Sequence, residues 1–326
     1  MSENLKKQYA LLENSAVFSS LASGEEILRW QGSDVVHFLN NYNSQDIKKL
    51  QNFESALGAF LSQKGKIISD VLILKFPEYF LLIFEAGYGS QVLKHLDVYL
   101  GFSSVEINKV NSEYAHLALM GAKSSEILSR FFSTFSPSTS LIQTLSWKST
   151  PCFAFKSERL GREAWEILAS PSIQKDLEAA WQEAGAEHAE NELLEILRVE
   201  AALPRIGVDM SEENLLAEVG LDKRATSFTK GCYLGQETTA RVNTQGRVHK
   251  KLSLFRLEKM PSGSLPFEIA SEGKTVGKIT SLIESPKQGP LGLGLIQSQV
   301  LEAKTPIQLL SDEKVLLYPL AFQAQT

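Results

Sequence analysis

Lys230-Gly231-Cys232-Tyr233-Leu234-Gly235-Gln236-Glu237 runs on through Thr238-Thr239-Ala240 to Arg241 and sets a thiol, an amine, a phenol, an amide, a carboxylate and a guanidinium within twelve positions. Gly231 and Gly235 punctuate it, and glycine supplies the tight turn or the close approach of backbone to a ligand that larger residues forbid. One of the two cysteines of the chain lies inside it. A segment that only connects two elements seldom gathers so many chemistries, so function is sought here first.

Working outward, a chain of 326 residues exceeds one ordinary core and calls for two or three domains. A hydrophobic share of 43% and a charged share of 22% supply sizeable cores. The net charge of −5 argues against a general nucleic-acid binder while leaving room for a local basic patch. Cys152 and Cys232 stand far apart without a CxxC pairing, which speaks against a disulfide framework or a cysteine metal site and for a reducing, cytoplasmic compartment. Residues 1–9 are polar and lack a signal-peptide core. The most apolar region, residues 71–84, is broken by Lys75, Pro77 and Glu78, so it reads as two strands and a turn rather than a membrane span.

Ser33 is placed as the N-cap of a helix carrying Val35, Val36, Phe38 and Leu39. Strands are predicted over 67–74, 79–84, 105–110 and 115–120, with helices over 90–100 and 124–132. The Ser/Thr-rich run 133–140 reads as a loop or lobe boundary. A second mixed unit follows, with strands at 153–155 and 164–168 and helices over 172–184 and 192–202, the latter ended by Pro204. This antiparallel-looking order favours α+β lobes over a doubly wound sheet, and no glycine-rich phosphate loop follows a strand. From about Lys251, short apolar runs at 252–257, 276–283, 291–296, 307–310 and 315–320 alternate with Gly, Pro and Ser, the pattern of a small antiparallel β-barrel or sandwich.

Glu200 falls near the C-terminus of a helix, where a negative charge opposes the macrodipole and needs a partner. Arg198 or Arg205 is one candidate; a ligand presenting paired N–H donors, such as a 2-amino-4-oxopyrimidine ring, is another. Asp46 and Asp70 each sit at a polar turn, as a structural cap or as a group that orients a ligand amine or relays a proton. Cys232 reads either as a small packing residue or as a thiolate activated by Lys230 and Arg241. Lys223, Arg224, Lys230, Arg241, Arg247, Lys250 and Lys251 outnumber Asp222 and Glu237, which is either a solvated edge of strands or an attractor for a folate glutamate tail or RNA phosphates. Tyr233 stacks or hydrogen-bonds near a pocket, or packs.

Read together, Arg198-Val199-Glu200-Ala201…Pro204-Arg205-Ile206-Gly207-Val208-Asp209, Glu218-Val219-Gly220-Leu221 and the Lys230–Glu237 block resemble the YgfZ family of folate-binding proteins, relatives of the glycine-cleavage T-protein (aminomethyltransferase) that act in iron–sulfur cluster assembly or repair. Gly32-Ser33-Asp34, Lys64-Gly65-Lys66…Asp70, Met120-Gly121-Ala122, Gly246-Arg247-Val248 and Val276-Gly277-Lys278-Ile279 extend the match along most of the chain. Where aminomethyltransferases show an Asp-Asp pair this chain has Ser69-Asp70, and Cys232 with Gly235-Gln236-Glu237 points to the YgfZ branch.

The resemblance implies an α+β fold: two mixed lobes in residues 1–245, divided near 133–150, and a C-terminal antiparallel β-barrel in 246–326. It implies bound tetrahydrofolate or a derivative, with Glu200 on the pterin, Asp70 near the reactive nitrogens, and Arg241, Tyr233 and Lys230 lining the site. Cys232 and Asp70 are its candidate catalytic groups, and no metal site is expected. The partners implied are iron–sulfur client enzymes, tRNA-modifying ones among them, or assembly factors, with RNA a further candidate and no membrane. The alternative is a folate-dependent aminomethyltransferase of the T-protein type.

Overall fold

A computed structural model describes residues 1–310 and 315–320. The expected α+β architecture with a C-terminal barrel is what forms. A five-stranded sheet runs in the order Ser55–Leu61, Ile67–Lys75, Tyr79–Glu85, Glu25–Gln31, Glu106–Lys109. A six-stranded sheet runs Ala186–His188, Ala16–Ser20, Ala115–Met120, Ala164–Ala169, Thr150–Ser157, Gln143–Trp147. A closed barrel takes Lys250–Leu257, Gly289–Gln297, Lys274–Ser285, Phe267–Ser271, Ile307–Leu309 and Leu316–Pro319. Residues 311–314 and 321–326 of the expected barrel region lie outside the described residues.

The strands of the five-stranded sheet are apolar almost continuously because both faces are covered. Ile73, Phe80, Leu82 and Phe84 pack with the helices Val35–Tyr42 and Tyr88–Leu100. Leu72, Leu74, Leu81, Ile83 and Ile27 pack on the other face with Phe155 and Leu168 of the six-stranded sheet. The two sheets interleave in sequence. The chain lays down Ala16–Ser20 in the six-stranded sheet, builds the whole five-stranded one, and returns at Ala115–Met120. The change of sheet thus falls between Lys109 and Ala115, ahead of residues 133–150.

Two local expectations change, and one helix forms where the sequence assigned no element. Ser33 does not cap the first-lobe helix: Asp34 occupies the N-cap, and its carboxylate accepts from the Ser104 backbone N–H instead of from the helix. The polar N-terminus forms a helix, Glu3–Asn14, capped by Ser2 and burying Leu5, Tyr9 and Leu12. Residues 236–245, weighed above as an edge of strands, form the helix Gln236–Gln245. No helix among the described residues is long and apolar enough to cross a membrane.

The lobes are locked by a buried tetrad. His116 Nδ1 lies 2.6 Å from Glu25 and its Nε2 2.9 Å from Glu166. Arg159 spans the same carboxylates at 2.5 Å and 2.7 Å. Burial alone would push the imidazole down, but Glu25 foremost, and Glu166 with it, lift it to about 9. A folded-state value above the ordinary 6.5 means that this contribution is complete below pH 6.5 and is lost as pH rises toward 9. Denaturant melts should therefore show unfolding free energy falling through that window. His116→Gln should flatten the slope and cost about 3–5 kcal/mol near pH 6 by leaving two carboxylates to one guanidinium. A variant that retains the wild-type slope would exclude a charged His116.

Candidate functional site

Glu200 is the last residue of the helix Asn191–Glu200. Its carboxylate accepts from the Tyr9 hydroxyl at 2.9 Å and 3.1 Å and from the Ser285 hydroxyl at the barrel rim. Neither arginine considered for it is its partner. Arg198 pairs with Glu195 and Asp209, and Arg205 pairs with Glu195 and lies 3.7 Å from Glu85. Among the described residues Glu200 makes no ion pair, although burial and this carboxylate push the Tyr9 phenol well above its usual range. Tyr9 and Ser285 were missed in the sequence. The Leu5, Tyr9, Leu12 spacing carried the helix, but not the partner 191 residues away.

Asp70 is half-buried on the strand Ile67–Lys75, on the face that carries Leu72 toward the six-stranded sheet. Burial foremost, with the nearby negative charge of Glu85 adding, pushes its carboxyl up to about 6. Ser69, by the alternation of the strand, points to the opposite face and is fully buried, its hydroxyl bonded to the Asp70 carbonyl. The residue that departs from the Asp-Asp pattern therefore lies off the face that bears Asp70.

The Cys232 segment is a loop laced to the first lobe. Leu234 N–H donates to Asn41, Ser227 N–H to Ser44, and the Ser44 hydroxyl to the Ala225 carbonyl. Lys230 is turned inward: its buried ammonium donates to the carbonyls of Asn40, Asn43 and Gln45 at 2.6, 2.7 and 2.8 Å and lies 4.7 Å from the Tyr233 ring centroid. Burial pushes it down to about 8. All three N–H bonds are committed to these carbonyls, so the amine is a backbone staple. Tyr233 is buried beneath it, whereas the Cys232 thiol is exposed.

Arg241 stands apart, lining a cavity of about 240 Å³ with Leu215, Glu218, Arg247 and His249. A second cavity, about 340 Å³, opens between the lobes beside Leu57, Leu72, Ser157, Arg159 and Arg224. No group of three or more metal-ligating side chains occurs among the described residues. Of the six singled-out residues, the structure brings Lys230 and Tyr233 into contact, Asp70 toward the inter-lobe face, Glu200 to the helix–barrel joint, Cys232 to an exposed loop, and Arg241 to a cavity of its own.

The two glycines of the motif differ sharply. Gly235 has a positive φ of 84°, and a Cβ there would sit 2.6 Å from the Ser62 carbonyl oxygen, against the 62–66 turn. At Gly231 a Cβ would meet nothing within 4 Å. Gly235→Ala is expected to lose more than about 1 kcal/mol, and Gly231→Ala to stay within about 0.5 kcal/mol of wild type, by thermal denaturation. Equal losses would rule out the close turn contact as the reason for Gly235.

Comparison with known proteins adds lineage to this geometry. Residues 13–230 match the family model of the GCVT N-terminal domain. The aminomethyltransferase of Thermoanaerobacter pseudethanolicus is 25% identical over 330 residues, covering 96% of this chain and 87% of its own length. That of Caldanaerobacter subterraneus is 26% identical over 331 residues, covering 96% and 86%. The crystal structure of glycine cleavage system aminomethyltransferase T from Bartonella henselae shares the fold with a TM-score of 0.85 at 17% identity, covering 97% of this chain and 88% of that one. The chain belongs to the GCVT N-terminal domain family and is related to the aminomethyltransferases.

Proposed function

We propose that the protein binds a tetrahydrofolate, with Glu200 accepting the paired N–H donors of the pterin ring and Asp70 standing near its reactive nitrogens. The observation that carries this reading is the state of Glu200. Two hydroxyls orient its carboxylate; among the described residues no lysine or arginine pairs with it, and Oε2, which accepts from Tyr9 alone, keeps room for a further donor. A donor-rich heterocycle can satisfy that acceptor with two parallel N–H bonds. The turn that follows carries Arg205 toward Glu85, beside the face that bears Asp70.

Folate, when bound, would supply the nitrogens that carry a one-carbon unit. Tyr9 and Ser285 then fix the angle of Glu200, and Asp70 holds or releases a proton beside the ligand. A carboxyl with a value of about 6 is suited to proton transfer near neutrality. The names of the relatives support one-carbon transfer of the aminomethyltransferase type as the reaction. Ser69 does not speak against it, because its side chain lies on the other face of the strand. In this reading residues 1–245 form the folate-binding region and 246–326 the barrel that closes it.

A second reading, a YgfZ-type accessory role in iron–sulfur cluster assembly or repair with tRNA-modifying iron–sulfur enzymes among its clients, rests on Cys232. That thiol is exposed on a loop stapled in place by Lys230. The two readings separate in one assay. The purified chain with tetrahydrofolate and an aminomethyl donor forms methylene-tetrahydrofolate under the first and shows no turnover under the second. Cys232→Ala leaves turnover intact under the first and impairs iron–sulfur enzymes in cells under the second.

Folate binding itself is tested by calorimetric titration. Glu200→Ala should weaken tetrahydrofolate about 100-fold or more, since two hydrogen bonds to a charged acceptor are worth roughly 3 kcal/mol or above. An unchanged Kd would remove Glu200 from the site.

A further inference from the structure

Three carboxylates meet in one row of the five-stranded sheet. Leu72 faces Ile83 across the strands Ile67–Lys75 and Tyr79–Glu85, and running that register two places further sets Asp70 opposite Glu85. Glu25 faces Glu85 from the other side. Residues opposed in this way share a face, and Leu72, Ile83 and Ile27 in the neighbouring row belong to the cluster packed between the sheets. The row Asp70, Glu85, Glu25 therefore continues the inter-lobe face beyond its apolar floor. Cβ atoms of opposed residues lie about 4.5–5.5 Å apart, and like charges so placed repel.

Compensation along the row is unequal. Glu25 has His116 and Arg159 in direct contact. Among the described residues Glu85 pairs with Arg205 alone, at 3.7 Å with both side chains more than a third exposed, and Arg205 is shared with Glu195. Asp70 makes no ion pair among the described residues, and its own backbone N–H donates to its carboxylate. The middle carboxyl thus lies between one that is firmly held as an anion and one that no ion pair holds among the described residues.

We propose that Glu85 is a positioning residue that acts through Asp70: the negative charge of Glu85, favoured by Arg205, keeps a proton on Asp70. This rests on the reading that sets Asp70 beside the folate nitrogens, and it states how that carboxyl is kept as an acid. The other groups acting on the pair pull both ways: Glu25 raises Glu85 and Arg159 lowers Asp70, so Arg205 must outweigh them. Arg159 acts electrostatically on both carboxyls, Arg198 acts on Glu85, and Glu85, Glu212 and Asp70 together raise the Tyr88 phenol. Glu25 opposes a second negative charge on Glu85, and burial raises both members of the pair. Such a pair titrates as a unit. With one proton it offers a donor and an acceptor at a single net negative charge. That fits a ligand whose basic nitrogen alternates between protonated and neutral, a secondary or tertiary amine.

The test reads the proton directly. In the full chain carrying ¹³C-carboxyl aspartate, the Asp70 resonance, identified by its loss in Asp70→Asn, is followed through pH, with a wild-type midpoint of about 6. Glu85→Gln, nearly isosteric, should lower that midpoint by about one unit. Glu85→Asp should restore it to within a few tenths of a unit. Arg205→Gln should move it upward, because the pair then loses its cation. A purely structural Glu85–Arg205 contact would leave Asp70 unmoved in the Glu85 and Arg205 variants or shift it in the same direction in both, and either result overturns the proposal. If the shifts appear while wild-type protein fails to bind tetrahydrofolate at any pH, the folate reading falls and the carboxyl pair stands.

Discussion

Asp209 is the point on which the arrangement of this chain turns. Its buried carboxylate accepts from Arg198 Nη1 at 2.6 Å, the Arg205 backbone N–H at 3.0 Å, the Thr280 hydroxyl at 2.6 Å and the Ser281 hydroxyl at 2.7 Å. Helix, loop and barrel strand are thereby tied to one charge that cannot be withdrawn without stranding its partners in a low-dielectric interior. The guanidinium of Arg198 reaches on to Ser281, which fixes the helix Asn191–Glu200 against the strand Lys274–Ser285. Glu200, at the end of that helix, is carried to Ser285, at the end of that strand. The placement of the carboxylate follows from the joint.

Most charges in the interior are committed to holding parts together. Glu25, Glu166, His116 and Arg159 pair with one another, and Lys230 is consumed by backbone carbonyls. Against that background Glu200 and Asp70 differ in kind, since each keeps capacity that the scaffold does not use. Buried polar groups are ordinarily paired, and groups with remaining capacity next to ordered neighbours are where a ligand has something to bind.

The fold class was legible because its signals are local. Apolar runs such as 67–74 and 79–84 separated by a turn, and the short Gly- and Pro-broken runs after Lys251, report strands wherever they pair. The site was legible only in part. Glu200 declared itself by sitting at a helix end that needs a partner, but Arg198 and Arg205, the nearby candidates, bond elsewhere, and the hydroxyls that hold it come from the N-terminal helix and the barrel. The tetrad joins Glu25 to residues 91 and 134 positions away, a separation that no local pattern encodes. Lys230 looked like a ligand contact because the sequence carries residue type but not the direction in which a side chain turns. The row of Asp70 and Glu85 exists only once the register of two strands is known.

The interleaving of the sheets orders events on the ribosome. The strand Ala16–Ser20 emerges early, yet its antiparallel neighbour Ala115–Met120 and its parallel neighbour Ala186–His188 follow much later. Between them the chain releases all five strands of the other sheet, which pair with one another, the Ile67 N–H bond to the Asn214 carbonyl being added from downstream. The first lobe can close while the N-terminal strand still waits with open edges, a long-range pairing that loop-closure entropy makes slow. Nascent chains cut off before residue 115 would thus carry a formed five-stranded sheet and an unpaired apolar strand ahead of it, the kind of exposed edge that chaperones shield during synthesis.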